Sequence, residues 1–118
     1  ATSNLAGVYL NRKDFVTAEK MYREAVSLFA ETQSPTHLNT GIARIKLGRA
    51  LLRQGRTADA ERELKAGYDM VAKQAAPTVS WLKSAREDLI AAYEGLHRPG
   101  EAERYRAEAA RVAAGTAK

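Results

Sequence analysis

Lys46, Arg49 and Arg53 stand at steps of three and four, so a helix drawn through them carries three cations on one face. The surrounding stretch, 36–56, adds Arg44 and Arg56 and contains no acidic residue at all. The chemistry open to such a stripe is anion recognition, because guanidinium groups make charge-assisted, often bidentate hydrogen bonds to carboxylates. A later stretch offers the opposite sign at Glu87, Asp88 and Glu94. Two readings therefore stand together. The stripe seats an acidic peptide or a C-terminal carboxylate, or it pairs with those acids on an adjacent helix, at about 0–1 kcal/mol per exposed pair.

Catalytic chemistry finds no residues to carry it. His37 and His97 are sixty apart, each near a helix end, and neither has Asp, Glu or His at metal-ligand spacing. With no cysteine there is no thiolate nucleophile and no disulfide framework. The chain has no G-x-S-x-G, no glycine loop to cradle phosphate and no H-E-x-x-H. The sequence thus predicts no catalytic, metal or cofactor site, and no enzyme. Gly41 and Gly48, isolated inside one helical stretch, read as close-packing positions. Trp81 and Tyr93 read as core before partner anchors.

The sequence pI of about 9.7 raises the question of nucleic acid. The basic stripe lacks interleaved aromatics and is followed by acid, which disfavours that partner. No stretch approaches the roughly 18 apolar residues of a membrane span, so a soluble chain without membrane insertion is expected. Nothing fixes a compartment, with the cytoplasm favoured. The chain opens Ala-Thr-Ser without a leader, which suggests a processed product or an excised fragment.

The elements that position these residues follow from a repeat. Shifted by forty-two, the chain matches itself three times without a gap: Leu5, Leu47 and Leu89; Tyr9, Leu51 and Tyr93; Ala18, Ala60 and Ala102; Glu19, Glu61 and Glu103. Pro35 falls on Pro77. A fixed period of this size marks an array in which each unit buries its apolar face against its neighbours. Apolar residues recur at three and four, and Ala, Leu, Arg and Glu favour helix. Helices are predicted at 2–11, 15–32, 35–53, 57–74, 77–94 and 99–113. Ser34-Pro35 and Ala76-Pro77 are expected helix starts, Gly55 a left-handed helix end, and Thr57 a cap for the next helix. The 118 residues make one domain of three hairpins, at about 1–34, 35–76 and 77–118, with the first truncated at its start. The basic excess belongs mainly to the middle repeat, with eight basic and four acidic residues.

The residues at repeating positions carry a family resemblance. Repeat one reads Asn4-Leu5-Ala6, Tyr9, Ala18-Glu19, Tyr22 and Ala25; repeat two reads Leu47-Gly48, Leu51, Ala60-Glu61, Leu64 and Gly67. This resembles the tetratricopeptide pattern, Leu-small-x-x-Tyr in one helix and Ala-x-x-x-aromatic-x-x-Ala in the next. The small residues fall where two helices would cross closely. The forty-two-residue period looks most like the kinesin-light-chain subtype, and the general wording looks bacterial. Parts of repeats two and three also resemble repeat tails of bacterial Ser/Thr kinases. Repeat three departs furthest, with Ile90 at the small position and Arg106 where Tyr22 and Leu64 stand.

The resemblance implies an all-α solenoid of three tetratricopeptide-like repeats, six helices in a right-handed superhelical array. It implies a concave groove lined by the first helix of each hairpin. Groove candidates are then Asn4 and Asn11 in repeat one, Lys46, Arg49 and Arg53 in repeat two, and Glu87, Asp88 and Glu94 in repeat three. Ile42 and Ile45 fall on the same predicted face. The expected partner is a protein or peptide, with an acidic one suggested by the stripe. Two other roles stay open: a structural subunit that self-associates head to tail through its repeat ends, and a regulatory tail of a larger signalling protein. Ala109, Ala110, Ala113 and Ala114 make the last helix look only lightly capped.

Overall fold

The computed structural model of the chain describes residues 14–32, 38–73 and 79–116. Five helices run through them: α1 (Phe15–Thr32), α2 (Leu38–Arg53), α3 (Thr57–Ala72), α4 (Val79–Gly95) and α5 (Pro99–Thr116). No strand occurs among the described residues. Every described helix end lies within three residues of its prediction. The helix expected over 2–11 and the starts expected at Ser34-Pro35 and Ala76-Pro77 lie outside the described residues.

Local chemistry explains the helix ends. Asp14 accepts the Thr17 backbone N–H through Oδ1 at 3.3 Å, capping the start of α1. Between α2 and α3, Gly55 takes φ 78, the left-handed conformation that glycine adopts without Cβ conflict. The Arg56 N–H then bonds back to the Leu51 carbonyl at 3.0 Å. The expected Thr57 cap is corrected. Helix α3 begins at Thr57 itself, Arg56 occupies the cap position without a side-chain bond, and the Thr57 hydroxyl donates to the Gly55 carbonyl at 3.4 Å. Forty-two residues on, His97 takes the place of Gly55 with φ 59, and the Arg98 N–H bonds to the Tyr93 carbonyl at 2.8 Å. A side chain in this conformation costs on the order of 1–2 kcal/mol, so the turn is retained against a local penalty.

The periodic alanines Ala18, Ala60 and Ala102 are fully buried, where the second helix of each hairpin meets its neighbours. Tyr22, Leu51, Leu64, Val71, Leu89 and Tyr93 fill the space around them. The middle hairpin is the tightest. A Cβ built on Gly67 would lie 2.6 Å from the Gly41 carbonyl oxygen and 2.8 Å from Ile45 Cγ1, and one on Gly48 would lie 2.5 Å from Leu64 Cγ. In the third hairpin these three glycine positions hold Lys83, Ile90 and Ala109. There the counterparts of buried Ile45 and Leu64 are Glu87 and Arg106, and both are exposed.

Gly67→Ala tests this crossing. Helix propensity alone would reward alanine by about 1 kcal/mol, but the backbone oxygen of Gly41 cannot rotate away, and overpacking costs about 1–3 kcal/mol. Chemical denaturation is expected to show a net loss for Gly67→Ala. Gly100→Ala, where an added Cβ meets nothing within 4 Å, should be neutral or stabilising. Equal effects at the two sites would show that close approach does not limit the middle hairpin.

Candidate partner-binding groove

Helices α2 and α4, the first helices of hairpins two and three, lie against each other. Steps of three and four along α2 bring Lys46, Arg49 and Arg53 to the side facing α4. The Arg49 Nε donates to the Asp88 Oδ2 at 2.9 Å, with both side chains mostly covered. Lys46 Nζ sits 4.9 Å from the centroid of the Trp81 ring, within cation–π range. Arg53 is exposed, and its charge acts on Asp88 together with that of Glu87.

Burial dominates the electrostatics. Desolvation pushes the Asp88 carboxyl above the ordinary aspartate value, against the opposing pull of Arg49 and Arg53. Desolvation likewise lowers the Lys46 ammonium below the ordinary lysine value. Among the candidate residues Asp88 is therefore the acid tied to the basic stripe. The other two acids stand differently. Glu87 is exposed, and Glu94 is ion-paired to Arg106 of α5 at 2.7 Å, away from α2. Asn4 and Asn11 lie outside the described residues. Ile45, expected on the groove face, is fully buried against the Gly67 backbone instead, because the absent Cβ of Gly67 draws α2 onto α3.

Two groupings were missed from the sequence. Trp81 reads there as core, whereas it is half-buried, packed on the core by one edge and covered by Lys46. Its spacing of seven residues before Asp88, two helical turns, was the available signal. The second is a polar link between hairpins: buried Arg86 donates through Nη1 to the Tyr68 hydroxyl at 3.4 Å, and that hydroxyl bonds to Glu108. No short spacing marks it, since Tyr68 and Glu108 are forty residues apart. Among the described residues no group of three or more His, Cys, Asp and Glu side chains could hold a metal ion. No described helix is long and apolar enough to cross a membrane.

A family model described as tetratricopeptide repeat matches residues 1–73. The chain belongs to the tetratricopeptide repeat family. Among solved structures, the crystal structure of BtubC (BKLC) from P. vanneervenii has the same fold, with a TM-score of 0.89 at 19% identity over 98% of this chain. This chain covers 46% of the BtubC chain. No curated protein matches it. Tetratricopeptide repeats form a non-catalytic family that generally mediates protein–protein interaction.

The raised Asp88 pKa has a definite sign in stability. A carboxyl whose folded value exceeds its unfolded value contributes stability that is full below the unfolded value and lost as pH rises through the folded one. Asp88→Asn removes this dependence. Melting temperatures followed upward from the ordinary aspartate value of 3.8 should show the native chain losing ground to the Asn variant. A constant difference across that range would show that Asp88 titrates like an exposed aspartate.

Proposed function

We propose that the chain is a protein–protein interaction scaffold that holds a peptide or protein segment in its tetratricopeptide groove. The proposed array has three repeats, at about 1–34, 35–76 and 77–118, with six helices wound right-handed. The observation that carries the groove reading is the charge of α2. Its facing side bears Lys46, Arg49 and Arg53, and across from them Asp88 is ion-paired to Arg49. The net positive face favours an acidic segment. Arg49 is already engaged by Asp88, so Arg53, exposed and without an ion pair among the described residues, is the stripe residue best placed to meet a ligand first. Asn4 and Asn11 extend the proposed groove into repeat one.

Head-to-tail self-association is the competing reading, and the surface of α5 weighs against it. In α1 and α3 the stripe facing the next hairpin includes Tyr22, Leu64, Tyr68 and Val71, all buried. In α5 the residue in register with Tyr22 and Leu64 is Arg106 and that in register with Tyr68 is Ala110, and both are exposed, as is Glu103 beside them. Arg106 is paired there with Glu94 at 2.7 Å and Glu103 at 3.5 Å. Stacking another unit on this face would bury those charges, at a desolvation cost their pairing does not recover. A role as a regulatory segment beside a signalling domain is compatible with groove binding.

Trp81 is the sole tryptophan and lies beneath Lys46, so its emission reports on the groove. Titration with a hexaglutamate peptide should shift that emission in a salt-dependent manner. Arg53→Glu should weaken the response about tenfold or more without loss of helicity. Light scattering should give a monomer at low and high salt. An emission response unchanged by Arg53→Glu would sink the groove assignment, and a salt-sensitive oligomer would favour self-association.

A further inference from the structure

The forty-two-residue repeat allows the two junctions between hairpins to be compared position by position. At the first junction, Glu19 accepts hydrogen bonds from Gln54 Nε2 at 2.9 Å, Arg56 Nη1 at 2.9 Å and Arg23 Nε at 2.8 Å. Asp59 accepts from Arg56 Nη2 at 3.1 Å and from Arg62. Three arginines are thus each engaged by one or both of two carboxylates in a connected network. The hydrogen bonds outweigh burial and hold the Glu19 carboxyl below the ordinary glutamate range.

The same positions at the second junction hold Glu61, Lys65, Arg98, Glu101 and Arg104. Their charges follow the first junction sign for sign, yet the network does not close. Tyr93 stands where the first junction has Leu51, and its hydroxyl donates to Glu61 Oε2 at 2.6 Å. Leu96 stands where Gln54 donates to Glu19, removing that contact. Glu61 is thereby drawn to the tyrosine. Burial first, and then the Glu61 carboxylate, hold the Tyr93 hydroxyl protonated well above the usual tyrosine range, so the contact persists across physiological pH. Arg98 reaches only Glu101, at 3.7 Å. Among the described residues Lys65 makes no hydrogen bond or ion pair, and Arg104 only lies over the Tyr105 ring at 5.8 Å.

What the open network leaves is a cleft of about 320 Å³ between α3 and α5. Lys65, Arg98 and Arg104 line it together with the carboxylates of Glu61 and Glu101, with Tyr93 and Tyr105 alongside. The two rings stack at 5.9 Å between centroids with an interplanar angle of 11°, giving the cleft a rigid aromatic wall. Three cations and two carboxylates share this space, but Glu61, the counterpart of Glu19, is held by the Tyr93 hydroxyl, whereas at the first junction carboxylate oxygens lie at hydrogen-bond distance from guanidinium nitrogens.

We infer that the α3–α5 cleft binds an acidic side chain of a partner polypeptide, its carboxylate taking beside Lys65, Arg98 and Arg104 the place that Glu19 fills within the chain at the first junction and that Glu61, held by Tyr93, leaves open. The site is separate from the α2–α4 groove and does not depend on it. Carboxylate is the anion assigned because the repeat itself supplies the template. Tyr93 is a positioning residue: it keeps Glu61 from occupying the site.

Amide and side-chain NMR shifts on the intact chain test the inference, with hexaglutamate and inorganic phosphate as separate probes. Hexaglutamate should shift Tyr93, Arg98, Arg104 and Tyr105, and Lys65→Gln combined with Arg104→Gln should weaken those shifts' midpoint about tenfold or more. Both substituted residues are exposed, and an unchanged melting temperature verifies the fold. Tyr93→Phe releases Glu61 to turn inward, so it should also weaken binding, by about threefold or more. Arg53→Glu should leave the cleft response unchanged. Shifts confined to α2 would overturn the inference while sparing the groove reading. A cleft response to phosphate without one to hexaglutamate would overturn the carboxylate assignment. Unaltered affinity in Tyr93→Phe would overturn the part given to Glu61.

Discussion

The helix crossing inside the middle hairpin constrains everything around it. Near Gly48 and Gly67 the two backbones approach so closely that a methyl group would meet atoms at 2.5–2.6 Å. Close packing at this distance puts Leu64 directly onto α2 and draws Ile45 fully out of solvent. It also fixes how α2 is rotated about its own axis. With Ile45 turned inward against α3, Lys46 and Arg49 are turned toward α4, and the basic stripe becomes a surface between hairpins. The charge pattern of the candidate groove thus depends on absent side chains at the opposite crossing, Gly41 and Gly48 on α2 and Gly67 on α3.

That dependence explains which features were legible in the sequence. The period, the five described helices and the buried alanine column at 18, 60 and 102 could all be read, because each rests on local spacing repeated in register. The face of Ile45 could not. Apolar periodicity places it within one residue of the groove stripe, and only the proximity of Gly67 decides which side it joins. Thr57 was misjudged for a related reason: the left-handed residue at 55 sets the turn, so the helix can begin without a side-chain cap. Glu94 was grouped with Asp88 because both lie on α4. Its actual partner, Arg106, belongs to the hairpin's second helix, whose separation from α4 depends on Ile90 and Ala109 replacing glycines.

Repeat arrays are often treated as copies of one unit, but the two junctions here show how identity in register allows divergence in chemistry. The Ala-Glu pair recurs three times, and each Glu has a different partner. Glu19 reaches forward to Gln54 and Arg56 of the next hairpin. Glu61 reaches forward to the Tyr93 hydroxyl. Glu103 turns to Arg106 within its own helix. The carboxylate position is held constant, and the residue that meets it changes from guanidinium to phenol to a neighbour one turn away.

The consequence is a gradient of charge satisfaction along the chain. At the first junction cations and carboxylates saturate each other, which ties hairpins one and two together and leaves little for a ligand. At the second junction Tyr93 replaces an aliphatic side chain and gains a hydrogen bond with Glu61, and among the described residues Lys65 and Arg104 make no ion pair. On the outer side of α5 the cation Arg106 is again paired, now on an exposed surface. Among the described residues Arg53 of the α2 stripe and Lys65 and Arg104 at the α3–α5 cleft are then cations without an ion pair beside the middle hairpin. A net excess of five charges spread evenly would only aid solubility. Under the proposed reading, the stripe and the cleft would give an acidic partner two places to hold on either side of the middle hairpin, whose glycine crossing ties α2 to α3.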